Sequence, residues 1–178
     1  MPLIKSAFCM AAILVLNLST MNAQDFNGEF TERFYWHFEQ SSEKVISLAE
    51  TMPEEIYNWS PDGEAMSVAR VFMHIARHNY MIPERWLGIP APDHIQQGEM
   101  EQISDKETVV RMLKESVEHV RGFSGELTNE KLFQPVTIFG EETHGWAALM
   151  LLISHMNEHV GQSVSYARMN GVVPPWSE

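Results

Sequence analysis

The stretch THGWAALMLLISHMNEHVGQSVSYARMN, residues 143–170, decides the fold. At about 100° per residue, Leu149, Leu152, Ile153, Met156, Val160 and Val164 fall on one broad face, while Ser154, Asn157, Gly161, Ser165 and Arg168 lie opposite. Such a stripe predicts an amphipathic helix starting at Thr143, with Gly171 as its stop and Pro174-Pro175 beyond. His159 lies within about 20° of Leu152 on that wheel, so it sits near the middle of the apolar face. His155 is on the flank of the same face, with Gln162 and Tyr166 on its side.

Working outward, three more helical patterns precede this one. Phe30, Phe34, Phe38, Val45 and Leu48 recur at helical steps between Phe26 and about Met52, and Pro53 closes the segment. Ser-Pro-Asp-Gly at 60–63 marks a turn, after which Ser67 opens a helix through Val68, Val71, Phe72, Ile75 and Ala76 to about Ile82, where Pro83 is expected to interrupt it. Residues 88–104 hold two prolines and little periodicity, which predicts a long crossing from one end of a bundle to the other. Ser104 and Glu107 have capping-box spacing ahead of Val109, Met112, Leu113, Val117 and Val120, a helix that ends at Gly122. Thr128 is a candidate cap for a short turn into Leu132, and residues 135–142 read as irregular or briefly extended. The whole is an all-α four-helix bundle with a long connection between its second and third helices.

Composition narrows the function. With 12 basic against 24 acidic side chains the net charge is -12, which is unsuited to gripping a phosphate backbone, so nucleic acid and anionic membranes are poor partners. Residues 1–23 read as a signal peptide: Lys5, the apolar run Ala7–Leu16, then small and polar residues ending at Ala23. That run is shorter than the roughly 20 residues a membrane span needs. The expected mature domain is 24–178, exported to the periplasm or the cell exterior, with cleavage after Ala23 or Gln24. Lys5 leaves with the leader, so the mature charge is 11 minus 24, or -13. Cys9 leaves with it too, and the mature chain then has no thiol for disulfides, metal ligation or nucleophilic attack.

His155 and His159 stand at i and i+4, where two imidazoles can share one metal ion, and bundle cores commonly carry such sites. Inward histidines are more often core residues with a backbone or hydroxyl partner, and His37, His94, His119 and His144 fit that class or solvent. A third ligand is available in the second helix, where His74 and His78 are again four residues apart; periodicity alone slightly favours His78. The run His155-Met156-Asn157-Glu158-His159 also fits the H-x-x-E-H pattern of inverted zinc proteases. Those proteases take a further acidic ligand far downstream, and here only 19 residues follow His159. Glu158 sits at the edge of the solvent face, where a helix carboxylate is ordinarily just hydrated.

Met66-Ser67-Val68 leading into His74-Ile75-Ala76, together with His155-x-x-x-His159-Val160-Gly161-Gln162 and Tyr166-Ala167-Arg168-x-x-Gly171, resembles the DinB/YfiT-like superfamily of metal-binding four-helix bundles. The resemblance covers nearly the whole mature chain. It implies His74, His155 and His159 as ligands of one divalent ion, with His78 beside the site. Gln162, one turn beyond His159, is a candidate to orient a ligand or a water, or else an ordinary amide at the mouth of the bundle. Three neutral imidazoles leave such an ion its full charge and open positions, the arrangement of a catalytic rather than a structural site. Zinc, nickel, iron and cobalt all suit it. The implied activity is a metal-dependent hydrolase of a small substrate using metal-bound water, with Glu158 or Tyr166 as candidate proton handlers. A metal-dependent thiol transferase or isomerase and a noncatalytic metal-binding bundle are the alternatives, and family habit adds a possible homodimer.

Overall fold

The computed structural model describes residues 3–177, with side chains from residue 27 onward. The expected leader, residues 1–23, lies outside the residues whose side chains are described; the first helix, α1, spans Leu3–Thr51. Three further long helices follow: α2 (Val68–Leu87), α3 (Lys106–Gly122) and α5 (Trp146–Met169). A short α4 (Asn129–Phe133) and a hairpin of β1 (Pro135–Ile138) and β2 (Glu141–His144) lie between α3 and α5. Among the described residues, no helix is long and apolar enough to cross a membrane.

The apolar stripes pack against one another as their periodicity requires. Phe38, Val45, Leu48, Val71, Phe72, Ile75, Val117 and Leu152 are all buried in one core. Inter-helix contacts fix the directions. Glu39 pairs with Arg121 and Glu50 with Lys114, so α1 and α3 are antiparallel. The edge contact of Phe30 with Trp146 and the Ser41–Asn157 hydrogen bond make α1 and α5 parallel. Asn79 donates to Ser116 at 3.0 Å and Tyr80 packs on His119, so α2 and α3 also run parallel. Parallel neighbours need a connection as long as the helices, and residues 88–105 supply it by running back along α2. A single 3₁₀ turn, Met100–Gln102, interrupts that crossing and buries Met100.

Three local readings of the sequence are corrected, and a fourth, at residues 135–142, resolves to its extended alternative. Pro83 does not end α2, which continues to Leu87. The proline removes one backbone bond, but Trp86 and Leu87 are buried and Gly88, at φ 63°, closes the helix by donating to the Pro83 carbonyl. The cap of α3 is Asp105 rather than Ser104; its carboxylate accepts from the Thr108 amide at 2.9 Å, and an ionised cap at a helix N-terminus is favoured over a neutral one. Thr143 and His144 are strand residues, so α5 begins at Trp146. The segment expected to be irregular or briefly extended is a paired hairpin, with Val136 opposite Thr143 and Ile138 opposite Glu141. Thr128 caps α4 as its spacing predicts.

Gly145 explains how the start of α5 is brought against the α4 backbone and the Leu87 side chain at the end of α2. A Cβ there would lie 2.1 Å from the Lys131 carbonyl oxygen and 3.1 Å from Leu87 Cδ2, so only glycine allows this approach. The C-terminal turn folds back beside α1, with Trp176 next to Lys44 and Ser47.

Candidate metal centre

The antiparallel pairing of α2 with α5 sets His74 opposite His155 and His159, with ring centroids 5.0 and 4.8 Å apart. One ring nitrogen from each of the three lies within 4.8 Å of the others, and the Nε2 atoms of His74 and His155 are 3.1 Å apart. Three nitrogens each about 2.0–2.1 Å from a tetrahedral zinc ion would stand on the order of 3.4 Å apart. The cluster is therefore of a size that could hold a metal ion.

The far sides of the rings decide what the near sides offer. His74 Nδ1 is 2.8 Å from Glu101 Oε1, and a carboxylate can only accept, so Nδ1 carries the proton and Nε2 presents a lone pair. His159 Nδ1 is 2.8 Å from the Gln162 carbonyl oxygen, whose amide nitrogen donates to the Tyr166 hydroxyl at 2.9 Å. This again puts the proton on Nδ1 and frees Nε2. Metal-binding histidines characteristically have such partners, which fix the tautomer and the ring plane. With Nε2 of His74 bare, the 3.1 Å contact makes the Nε2–H of His155 the donor, a proton that an ion bound by both rings would displace.

Glu101 was not legible as part of this group. It comes from the 3₁₀ turn of the long crossing and is gripped by Arg70 Nε and Arg77 Nη1, each at 3.1 Å, as well as by His74. Burial pushes its carboxyl up, but the hydrogen bonds from His74, Arg70 and Arg77 outweigh this and hold it at about 2. An ionised acceptor therefore faces His74 at any ordinary pH. Residues 88–104 have little periodicity from which its orientation could be read, and nothing in the sequence separates Glu101 from Asp93 and Glu99 in the same loop.

The rings on α5 sit in a dehydrated setting. Burial, reinforced by the neighbouring imidazoles, pushes His155 down to about 3, and burial lowers His159 as well, against the opposing bond to Gln162. Neutral imidazole is the form that ligates metals. His78 lies beside the group: its Nδ1–H donates to the His74 carbonyl at 2.8 Å and its ring stacks on His155 at 4.0 Å, with burial lowering it to about 4. Tyr166 is buried with its hydroxyl engaged by Gln162, whereas Glu158 is exposed on the outer side of α5. Of the remaining histidines, His94 meets Glu115 at the surface and His119 lies between Tyr80 and Phe123.

Fold and cluster together define a helical bundle with a three-histidine group between antiparallel helices that could hold a metal ion. The model of the DinB family matches residues 21–178, and the chain belongs to that family. Among solved structures it is similar to a DinB-like protein from Bacillus cereus ATCC 10987, with TM-score 0.69 and 19% identity over 81% of this chain and 95% of that one. A DinB-like protein from Bacillus subtilis superposes with TM-score 0.64 and 22% identity, covering 79% of this chain and 93% of its own. No curated protein matches the chain.

Proposed function

We propose that the protein is an exported metal-dependent hydrolase of a small substrate, in which His74, His155 and His159 hold one divalent ion. The observation that carries the reading is the opposed anchoring of His74 by Glu101 and of His159 by Gln162, which turns two bare ring nitrogens toward the third histidine. A divalent ion bound there supplies Lewis acidity toward a carbonyl or phosphoryl oxygen and toward water, which is the chemistry of hydrolysis. Zinc, nickel, iron and cobalt all accept an all-imidazole set.

The chain's own groups do the rest. Glu101 holds the proton of His74 on Nδ1, and its two arginines keep the carboxylate ionised while it does so. Gln162 does the same for His159 and, by donating its amide N–H to the Tyr166 hydroxyl, leaves the hydroxyl proton of that candidate proton handler for another acceptor. His78 stacks on His155 beside the group. Residues 1–23 act as a leader in this reading, which N-terminal sequencing of protein recovered outside the cytoplasm tests by finding Gln24 or Asp25 first.

The test is metal content by elemental analysis on protein beginning at Gln24, followed by ester and amide hydrolysis with each of the four ions. Near-stoichiometric metal and an activity that disappear in His74→Ala, His155→Ala and His159→Ala support the reading. A folded protein that takes up no metal after reloading, or an activity that survives His74→Ala, overturns it.

A further inference from the structure

The hairpin between α4 and α5 carries its aromatic residue in an unfavourable place. Phe139 and Gly140 form the turn with φ values of 52° and 91°, a pattern that favours Asn-Gly and in which a bulky side chain is uncommon. Phe139 is also 83% exposed, so the ring is neither relaxed in its backbone nor buried. Its position is nevertheless fixed by two bonds below the tip. The buried Trp86 donates its indole N–H to the Thr137 carbonyl at 3.0 Å, and Gln134 donates its side-chain amide to the Trp86 carbonyl at 2.8 Å. The two rings meet edge to face, with centroids 6.1 Å apart.

Beneath them is a cavity of about 110 Å³. Met81, Ile82 and Leu151 give it apolar walls, and His78 and His155 of the histidine cluster also line it. Arg85 stands at its lining with its guanidinium carbon 5.0 Å from the centre of the Trp86 ring, and none of the ion pairs among the described residues involves it. An arginine stacked on an indole keeps its N–H edge for a planar anion. In a chain of net charge -12, a cation placed beside an apolar cavity that shares His155 with the candidate metal centre is a selective feature.

We propose that this cavity is the specificity pocket of the histidine site, and that it takes a small carboxylate bearing an aryl or branched alkyl group. The apolar group lies between Trp86, Phe139 and Leu151, and Arg85 pairs with the carboxylate. At about 110 Å³ the cavity is smaller than the roughly 150 Å³ that accepts benzene, so it admits a branched alkyl group or part of an aryl ring whose remainder lies against Phe139. The proposal rests on the histidine cluster being the reactive centre, but the binding it describes needs no metal.

The test is an NMR titration of chelator-treated and zinc-loaded protein with 3-phenylpropionate and its uncharged amide, read at the Trp86 indole resonance. The acid is expected to bind at least about fivefold more tightly than the amide, a margin of one charge-assisted pair. Arg85→Gln should bring the acid down to the affinity of the amide. Phe139→Asn should weaken both probes while leaving the unfolding temperature unchanged or higher, because asparagine suits the turn; lost binding therefore cannot be ascribed to unfolding. Binding of the acid unchanged in both variants, or no binding by the wild-type protein, overturns the pocket. Loss of binding in the variants of a protein that takes up no zinc keeps the pocket and removes the hydrolase reading. Intact zinc uptake with variant-insensitive binding does the reverse.

Discussion

Helix α2 meets histidines on two sides, and the two settings differ in what the ring's second nitrogen does. Toward α3, His119 packs against Tyr80 and Phe123, and its buried Nε2 has no hydrogen-bond partner among the described residues. Toward α5, His74 and His159 each have an acceptor on Nδ1. Burial lowers the basicity of His119 and of His159 alike, so desolvation does not separate the two settings. What separates them is convergence: an acceptor behind a ring aims the opposite lone pair, and two rings aimed toward a third make a place for a cation. A histidine with one idle nitrogen is an aromatic core residue that happens to contain nitrogen.

The sharpest way to break this contrast is to remove the rings themselves. His155→Ala or His159→Ala should abolish near-stoichiometric metal uptake, a loss larger than the roughly 10–100-fold expected from removing a ligand's partner. His119→Ala should leave uptake intact, and equal loss in all three variants would show that metal content follows general stability instead. Next in size is the partner itself. Glu101→Ala frees the His74 ring to rotate and to change tautomer, and should weaken zinc affinity by about 10–100-fold in a chelator competition. Glu101→Gln keeps an acceptor but not the charge, so an intermediate affinity is expected; full wild-type affinity in Glu101→Ala would remove Glu101 from the site.

These two predictions also mark what could be read from the chain. The pair His155 and His159 was visible because helical spacing fixes relative direction, and Gln162 followed as the residue three further along the same helix. The choice between His74 and His78 needed the pattern Met66-Ser67-Val68 ahead of it, because both lie near the inner face and the wheel leans the wrong way. In space, His78 turns its Nδ1–H back to the His74 carbonyl and becomes a wall. Glu101, Trp86 and Phe139 were not anticipated for a shared reason: each acts through a loop, a hairpin or a helix end beyond a proline, where periodicity carries no direction. The bundle directions were legible because a long aperiodic connection between helices in a small domain has few uses other than to join parallel neighbours.

A moderate effect is expected from pH on the metal-free protein. The folded pKa values of His155 and His78 lie at about 3 and about 4, below the ordinary 6.5, and those of His159 and His119 are lowered too. Between the folded and unfolded values the unfolded chain binds more protons, so stability rises with pH through this window and is lost as pH falls below 6.5. Glu101 adds to the loss at the acid end, because its stabilising ionisation is complete above 4.5 and disappears toward about 2. Urea midpoints of chelator-treated protein should therefore decline from about pH 7 to about pH 4, and His155→Leu should flatten the slope. A flat wild-type profile would mean that these rings are hydrated.

The smallest effect belongs to the other side of α2. Replacing His119 by leucine removes a buried nitrogen that has no partner and keeps an apolar side chain between Tyr80 and Phe123. Removing an unsatisfied group has the opposite sign from breaking a bond, so His119→Leu should be neutral or stabilising by up to about 1 kcal/mol. For a domain of this size that corresponds to a rise of at most about 2–4 °C in the unfolding midpoint. Zinc uptake should not change. A clear destabilisation would mean that the nitrogen is satisfied by an internal water shared with the equally unpartnered Tyr80 hydroxyl and Asn79 carbonyl oxygen; Tyr80→Phe would then be destabilising as well. In that event the two faces of α2 would differ only in whether water or a cation joins their polar groups.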